Sequence, residues 1–294
     1  MKNSRPYIFA KYVAAAVIVV VLVRALAVTT CSIPFSGMEN TLYKGERVLV
    51  NKWSYGLRLP FTTIRTAYRE AQPGDIVIFN DPRGDAPVWQ RPLYASRCEA
   101  GPGDTLLLDD NLLPAGRADD PYHKHLYSYP DTLEEKMKKA LSEADLAANT
   151  LSGYQDGRYM RSLSRYEHYL IKQILGKEAD IRPVESDSSK YRPFIIPARG
   201  TVVKVRNWNA ALLCNAIRMH EGKNAALRGD TLIVAGRPAS TYKFQKDYYW
   251  MSTGNPVNPC DSRLFGLVPE THLIGRAFLI WYSDHHNRTF KKIR

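Results

Sequence analysis

Seven histidines and four cysteines are the side chains whose types could hold a metal or attack a carbonyl. Their spacing supports neither role. Cys31, Cys98, Cys214 and Cys260 form no C-x-x-C pair and the histidines form no H-E-x-x-H, so no metal and no cofactor is expected. His123, His125 and His168 all fall in one charged stretch, which leaves a Ser/His arrangement without positional support. Hydroxyl chemistry at a serine needs a neighbouring base to take its proton, and nothing in the spacing alone selects one.

The elements that would position such residues begin with composition. The chain has 294 residues, 45 % of them hydrophobic and 24 % charged, which suits one or two folded domains. Forty-one Lys and Arg against 29 Asp and Glu leave a formal charge of +12, which favours an anionic partner such as a lipid surface. No block of five like charges and no nucleic-acid signature accompanies that charge, so nucleic acid is not an expected partner.

Lys2, Arg5 and Lys11 flank an apolar run over residues 12–23, continued after Arg24 by residues 25–28. About 20 such residues cross a bilayer as a helix. The basic flank predicts a single-pass anchor with a cytoplasmic N-terminus and the rest of the chain outside. Ala25-Leu-Ala27 has the form of a signal-peptide cleavage site, but Arg24 beside it favours an uncleaved anchor.

Beyond the anchor the pattern turns to strands: Arg47-Val-Leu-Val-Asn51, Ile76-Val-Ile-Phe79, residues 94–99, Thr105-Leu-Leu-Leu108, Thr201-Val-Val-Lys-Val205, Thr231-Leu-Ile-Val234, Lys246-Asp-Tyr-Tyr-Trp250 and residues 273–282. A basic tail ends the chain. Residues 115–190 differ, being charged and poor in β-branched runs. They read as a mainly helical insertion, with one helix over residues 132–140 capped by Asp131 and another over 165–175.

Four stretches, in this order after an N-terminal anchor, resemble the bacterial type I signal peptidases. Ile33-Pro-Phe-Ser-Gly-Met-Glu-Asn-Thr-Leu42 with Lys44-Gly-Glu-Arg-Val-Leu-Val-Asn-Lys52 is similar to I-P-S-G-S-M-E-P-T-L and V-G-D-R-V-L-V-N-K. Pro73-Gly-Asp-Ile-Val-Ile-Phe-Asn80 is close to P-G-D-V-V-V-F. Ser96-Arg-Cys-Glu-Ala-Gly-Pro-Gly-Asp104 resembles K-R-x-V-G-L-P-G-D. Residues 249–263, ending in Asp261-Ser262-Arg263, and Ile274-Gly-Arg-Ala277 resemble the closing G-D-N, D-S-R and I-x-G-K-A stretches. The resemblance implies a membrane-anchored serine endopeptidase fold: a mainly β, antiparallel core split by an inserted, partly helical second domain, plus one N-terminal transmembrane helix. The implied organisation is an anchor over 1–29, core over 30–108, insertion over 109–246 and core again over 247–294.

The same resemblance implies a degenerate member. The nucleophilic serine before Met falls on Gly37, which has no side chain to attack a carbonyl, and the general-base lysine falls on Ser96. The oxyanion-binding serine falls on Phe35 and the lysine-orienting serine on Pro259. Phe35, Met38 and Tyr94 would line the substrate cleft, while Asp261, Ser262 and Arg263 keep the structural motif. The expectation is a non-catalytic homologue in the bacterial inner membrane, with its main domain extracytoplasmic, that binds signal peptides of exported chains or an active signal peptidase. The alternative is an active peptidase with a relocated dyad, Ser36 as nucleophile and Lys44 or Lys52 as base. A Cys98–Cys260 disulfide across the vacated site would also fit the family's geometry.

Overall fold

The computed structural model describes residues 5–293 apart from 60–61, 116–122, 147–148, 150, 177–178, 185–190 and 257–258. Lys2 of the basic flank, Val257 and Asn258 of the last motif stretch and Arg294 lie outside the described residues.

A helix, Arg5–Leu26, forms over the apolar run and leads directly into the strand Val28–Ser32. Ile8, Phe9 and the valines at 17, 19, 20 and 21 are exposed along it. Among the described residues no helix is long and apolar enough to cross a membrane. The helix is where the sequence places it.

The centre is an antiparallel eight-stranded sheet in the order Val28–Ser32, Arg47–Asn51, Leu273–Tyr282, Ile76–Asn80, Leu93–Ala100, Tyr248–Ser252, Val268–Pro269, with Lys291–Lys292 added beside Leu273–Tyr282. The expected basic tail therefore ends as an edge strand. Ile76–Asn80 is buried at every position, and the period of two deals its side chains to opposite faces. Ile76 and Ile78 join Val48, Val50 and Met38 on one face; Val77 and Phe79 join Tyr94, Tyr249 and Phe265 on the other. Each such burial is worth roughly 1.5–3 kcal/mol.

Gly275 shows why one motif position is glycine. A Cβ there would drive into the backbone carbonyl of Asn51 and lie 2.8 Å from its carbon. Gly275→Ala is expected to cost about 1–3 kcal/mol, as overpacking does; an unchanged urea midpoint would refute the steric reading.

Residues 124–183 form their own four-stranded sheet, Arg182–Pro183, Lys124–Pro130, Arg158–Ser164, Leu151–Gln155, covered by the helices Glu134–Glu143 and Arg165–Leu175. The mainly helical reading is thus corrected. The strands are built from Tyr127, Tyr129, Tyr159 and Leu163 rather than β-branched runs, and aromatic residues suit a pleated surface equally well. Asp131 is not the cap: it lies in a separate 3-10 turn, and the helix after it has no side-chain cap. The second helix has a full capping box, with the Glu167 amide donating to Ser164 Oγ (3.2 Å) and the Ser164 amide to Glu167 Oε2 (2.6 Å).

A further core joins the sheet residues Tyr248 and Trp250 to Phe194, Phe244 and the helix Ala210–His220. At its margin His220 and His272 meet edge to face, with ring centroids 5.2 Å apart and planes at 71°. Burial, then the charges of Lys246 and Arg91, hold His220 down at about 3. Burial, then His220, Arg91, Arg58 and Lys246, hold His272 at about 2. Both are neutral when folded, whereas the unfolded chain protonates them below about pH 6.5. The stability they allow is present above that pH and lost as pH falls below it, by about 1.4 kcal/mol per pH unit per histidine. His272→Gln is expected to flatten the loss of urea stability between pH 7.5 and 5; an unchanged slope would contradict it.

Candidate active site

The first motif stretch folds as an extended residue, Phe35, followed by a 3-10 turn over Ser36–Met38. Gly37 and Met38 are buried. The turn is tied down by backbone: the Asn255 amide donates to the Gly37 carbonyl at 2.9 Å, and Asn255 Nδ2 to the Ser36 carbonyl at 3.4 Å. Asn40 follows at φ +75°, a left-handed position that the proline of the family pattern cannot adopt. The turn here differs in backbone as well as in side chains.

Phe35 lies over the cleft. Its ring stacks on Tyr94 with centroids 5.4 Å apart and planes 16° apart, and Tyr94 leans in turn on Phe79 and Phe265. Arg83 donates to the Tyr94 hydroxyl at 3.1 Å, with its guanidinium also on Asp81. The space left among Pro34, Phe35, Gly37, Met38, Tyr94 and Cys260 is about 10 Å³, barely room for one water. The structure therefore brings Phe35, Gly37, Met38 and Tyr94 together around a space that is nearly filled.

Ser96 sits on Leu93–Ala100, fully buried, and donates to the Cys260 carbonyl at 2.7 Å. Its hydroxyl straps this strand to the last motif stretch. No lysine lines the cleft among the described residues. Lys44 is exposed in a turn, and Lys52 lines a different cavity, its ammonium destabilised by burial and then by Arg58.

The motif Asp261–Arg263 is intact. Asp261 has no exposure and accepts from the Thr253 amide (2.8 Å), Thr253 Oγ1 (2.7 Å) and Arg263 Nη2 (2.7 Å). Ser262 Oγ accepts from the Met251 amide at 2.9 Å. The Asp261 clamp thus holds Thr253, and two residues further along the chain Asn255 holds the Gly37 turn.

The Cys98–Cys260 disulfide is not formed; all four cysteines are free. Cys98 Sγ turns instead toward the carbonyls of Ala71 and Ala100, both at 3.9 Å. Burial, with Asp75 and Asp104 adding to it, pushes its thiol up to about 12, a poor nucleophile for oxidation.

Sequence reasoning missed a second support. Lys124, with only 3 % of its side chain exposed, lies 2.8 Å from Glu39 Oε2 and 3.4 Å from Glu167 Oε1. Asn255 joins the group, donating to Glu39 Oε2 and accepting from Ser162 Oγ. The inserted sheet is thereby pinned to the residue after Met38. Glu39 stood inside a motif, but no spacing linked it to a lysine 85 positions away.

The family model described as "Signal peptidase, peptidase S26" matches residues 7–174. Signal peptidase I of Haemophilus influenzae is 34 % identical over 279 residues, covering 90 % of this chain and 66 % of that protein. Signal peptidase I of Buchnera aphidicola subsp. Schizaphis graminum is 26 % identical over 267 residues (90 % and 71 %), and that of Pseudomonas fluorescens 24 % over 276 (90 % and 68 %).

Proposed function

Since the chain belongs to the signal peptidase family, peptidase S26, we propose that it is a membrane-anchored, non-catalytic member of that family. It acts in signal-peptide processing by binding, either to exported chains or to an active signal peptidase. The observation that carries this reading is the cleft itself. Its nucleophile position is Gly37, its base position is Ser96 bonded to a carbonyl, and Phe35 stacked on Tyr94 leaves about 10 Å³. An acyl-enzyme needs a side-chain nucleophile and a base within hydrogen-bond reach of it. The relocated dyad is disfavoured because neither Lys44 nor Lys52 lines that cleft.

The anchor is the helix Arg5–Leu26, whose exposed valines no core covers and whose basic flank keeps the N-terminus cytoplasmic. The intact Asp261–Arg263 clamp and the buried Lys124 pair favour a retained surface over a decayed one.

The binding half is tested by placing a photoreactive group at the −1 residue of a stalled preprotein, and at Phe35 of the full chain in membranes. Cross-links between the two, or from Phe35 to an active signal peptidase, are the expected result. Efficient cross-linking to neither partner would overturn the proposal.

A further inference from the structure

Outside the cleft, the cavity with the most distinctive chemistry lies at the foot of the N-terminal helix. It has a volume of about 270 Å³ and is lined by Thr29, Lys52, Arg58, Asn80, Trp89 and Arg91 among others. Three cations line it and, among the described residues, no carboxylate does. Arg58 is held by the Thr62 carbonyl (2.8 Å) and the Asn80 amide oxygen (3.0 Å). Arg91 is held by the carbonyls of Ala86 and Pro82 at 2.7 and 3.2 Å, more weakly by that of Asp81, and meets the His272 ring at 3.4 Å. These partners fix the guanidinium groups in place without cancelling their charge. The Asp81 carboxylate is engaged by Arg83. Burial, then Arg65, lowers Arg58 to about 10, and burial, then Arg58, lowers Lys52. Crowded, partly dehydrated cations of this kind are stabilised by an anion that accepts several charge-assisted hydrogen bonds, as a phosphate does.

Position supplies the second argument. Thr29 lies three residues past the end of the helix Arg5–Leu26. Two apolar side chains of the lining, Trp89 and Leu59, are 42 % and 40 % exposed, and the Leu59 amide pairs with the carbonyl of the exposed Ile64. A polar, cationic pocket with an aromatic and aliphatic lip suits the boundary between headgroups and water.

We infer that this cavity binds the headgroup phosphate of an anionic phospholipid at the outer face of the membrane, seating the β core on the bilayer. The inference rests on the anchor proposed above. It is independent of whether the cleft has lost its chemistry.

The test uses the full chain in detergent, with phosphatidylglycerol or phosphatidylcholine added stepwise and bound lipids counted by native mass spectrometry. Selective retention of phosphatidylglycerol is expected. Lys52→Gln/Arg58→Gln should weaken it roughly thirtyfold, while Lys291→Gln/Lys292→Gln, in another basic patch, should leave it intact. Because Arg58 also braces Asn80, Trp89→Ala is the second arm, and should reduce retention several-fold with thermal melting unchanged. Equal retention of the two lipids, equal losses in both double variants, or no loss in the first double variant and in Trp89→Ala would each overturn the inference. So would displacement of the lipid by an equal concentration of sn-glycerol 1-phosphate, which would make it a soluble phosphate site. Carbonate extraction from membranes tests the anchor separately: release of the chain with lipid selectivity intact would sink the anchor alone.

Discussion

A preprotein carrying an A-x-A site is expected to survive incubation with the full chain uncut, under conditions in which an active signal peptidase processes it completely. Loss of a serine nucleophile in other serine proteases costs on the order of 10⁶ in turnover, and on the proposed reading the base position is lost here as well. Gly37 offers only backbone, and that backbone is engaged: its carbonyl accepts from the Asn255 amide at 2.9 Å. Ser96 cannot substitute, because its hydroxyl points its proton at the Cys260 carbonyl and a serine has no basic form near neutral pH. Substrate entry is hindered too, since an alanine at the −1 position has no room until Phe35 leaves Tyr94. Ser36→Ala is expected to change nothing. Cleavage after A-x-A, detected by mass spectrometry and abolished in Ser36→Ala, would establish a rearranged dyad instead.

The largest stability effect is expected at Asp261. Its carboxylate has no exposure and satisfies the Thr253 amide, the Thr253 hydroxyl and the Arg263 guanidinium together. Removing one partner of a buried pair leaves the other charge desolvated, which typically costs about 3–5 kcal/mol. Asp261→Ala strands Arg263, with 12 % of its side chain exposed, and two further donors. It should lower the urea midpoint sharply and loosen the Gly37 turn, whose tether Asn255 lies two residues beyond Thr253. Asp261→Asn keeps the shape and one acceptor, and should cost less. Equal, small effects of the two substitutions would mean that the clamp contributes little.

On the proposed reading, these two outcomes divide the molecule between a scaffold that persists and a chemistry that does not. The scaffold was legible in sequence because a short run of apolar and β-branched residues bounded by turn residues announces a strand locally. Arg47–Asn51, Thr105–Leu108, Thr231–Val234 and Leu273–Tyr282 form over the residues expected. The inserted domain was less legible. Lys124–Pro130 and Arg158–Ser164 interleave tyrosine with lysine, arginine and serine, so their strand character rests on pairing with each other rather than on β-branched runs.

From residues alone came the run of hydrophobic strands and the Asp261–Arg263 stretch, while the resemblance to the signal peptidases implied that Gly37 and Ser96 stand where two reactive side chains are expected. Identity and local period suffice for the first two, and motif order along the chain for the third. Only the tertiary structure decided that Phe35 fills the cleft by stacking on Tyr94, that Cys98 turns away from Cys260, and that Lys124 lies between Glu39 and Glu167. Each of these joins residues far apart in the chain, and such contacts are set by how the sheets pack. No local pattern encodes them.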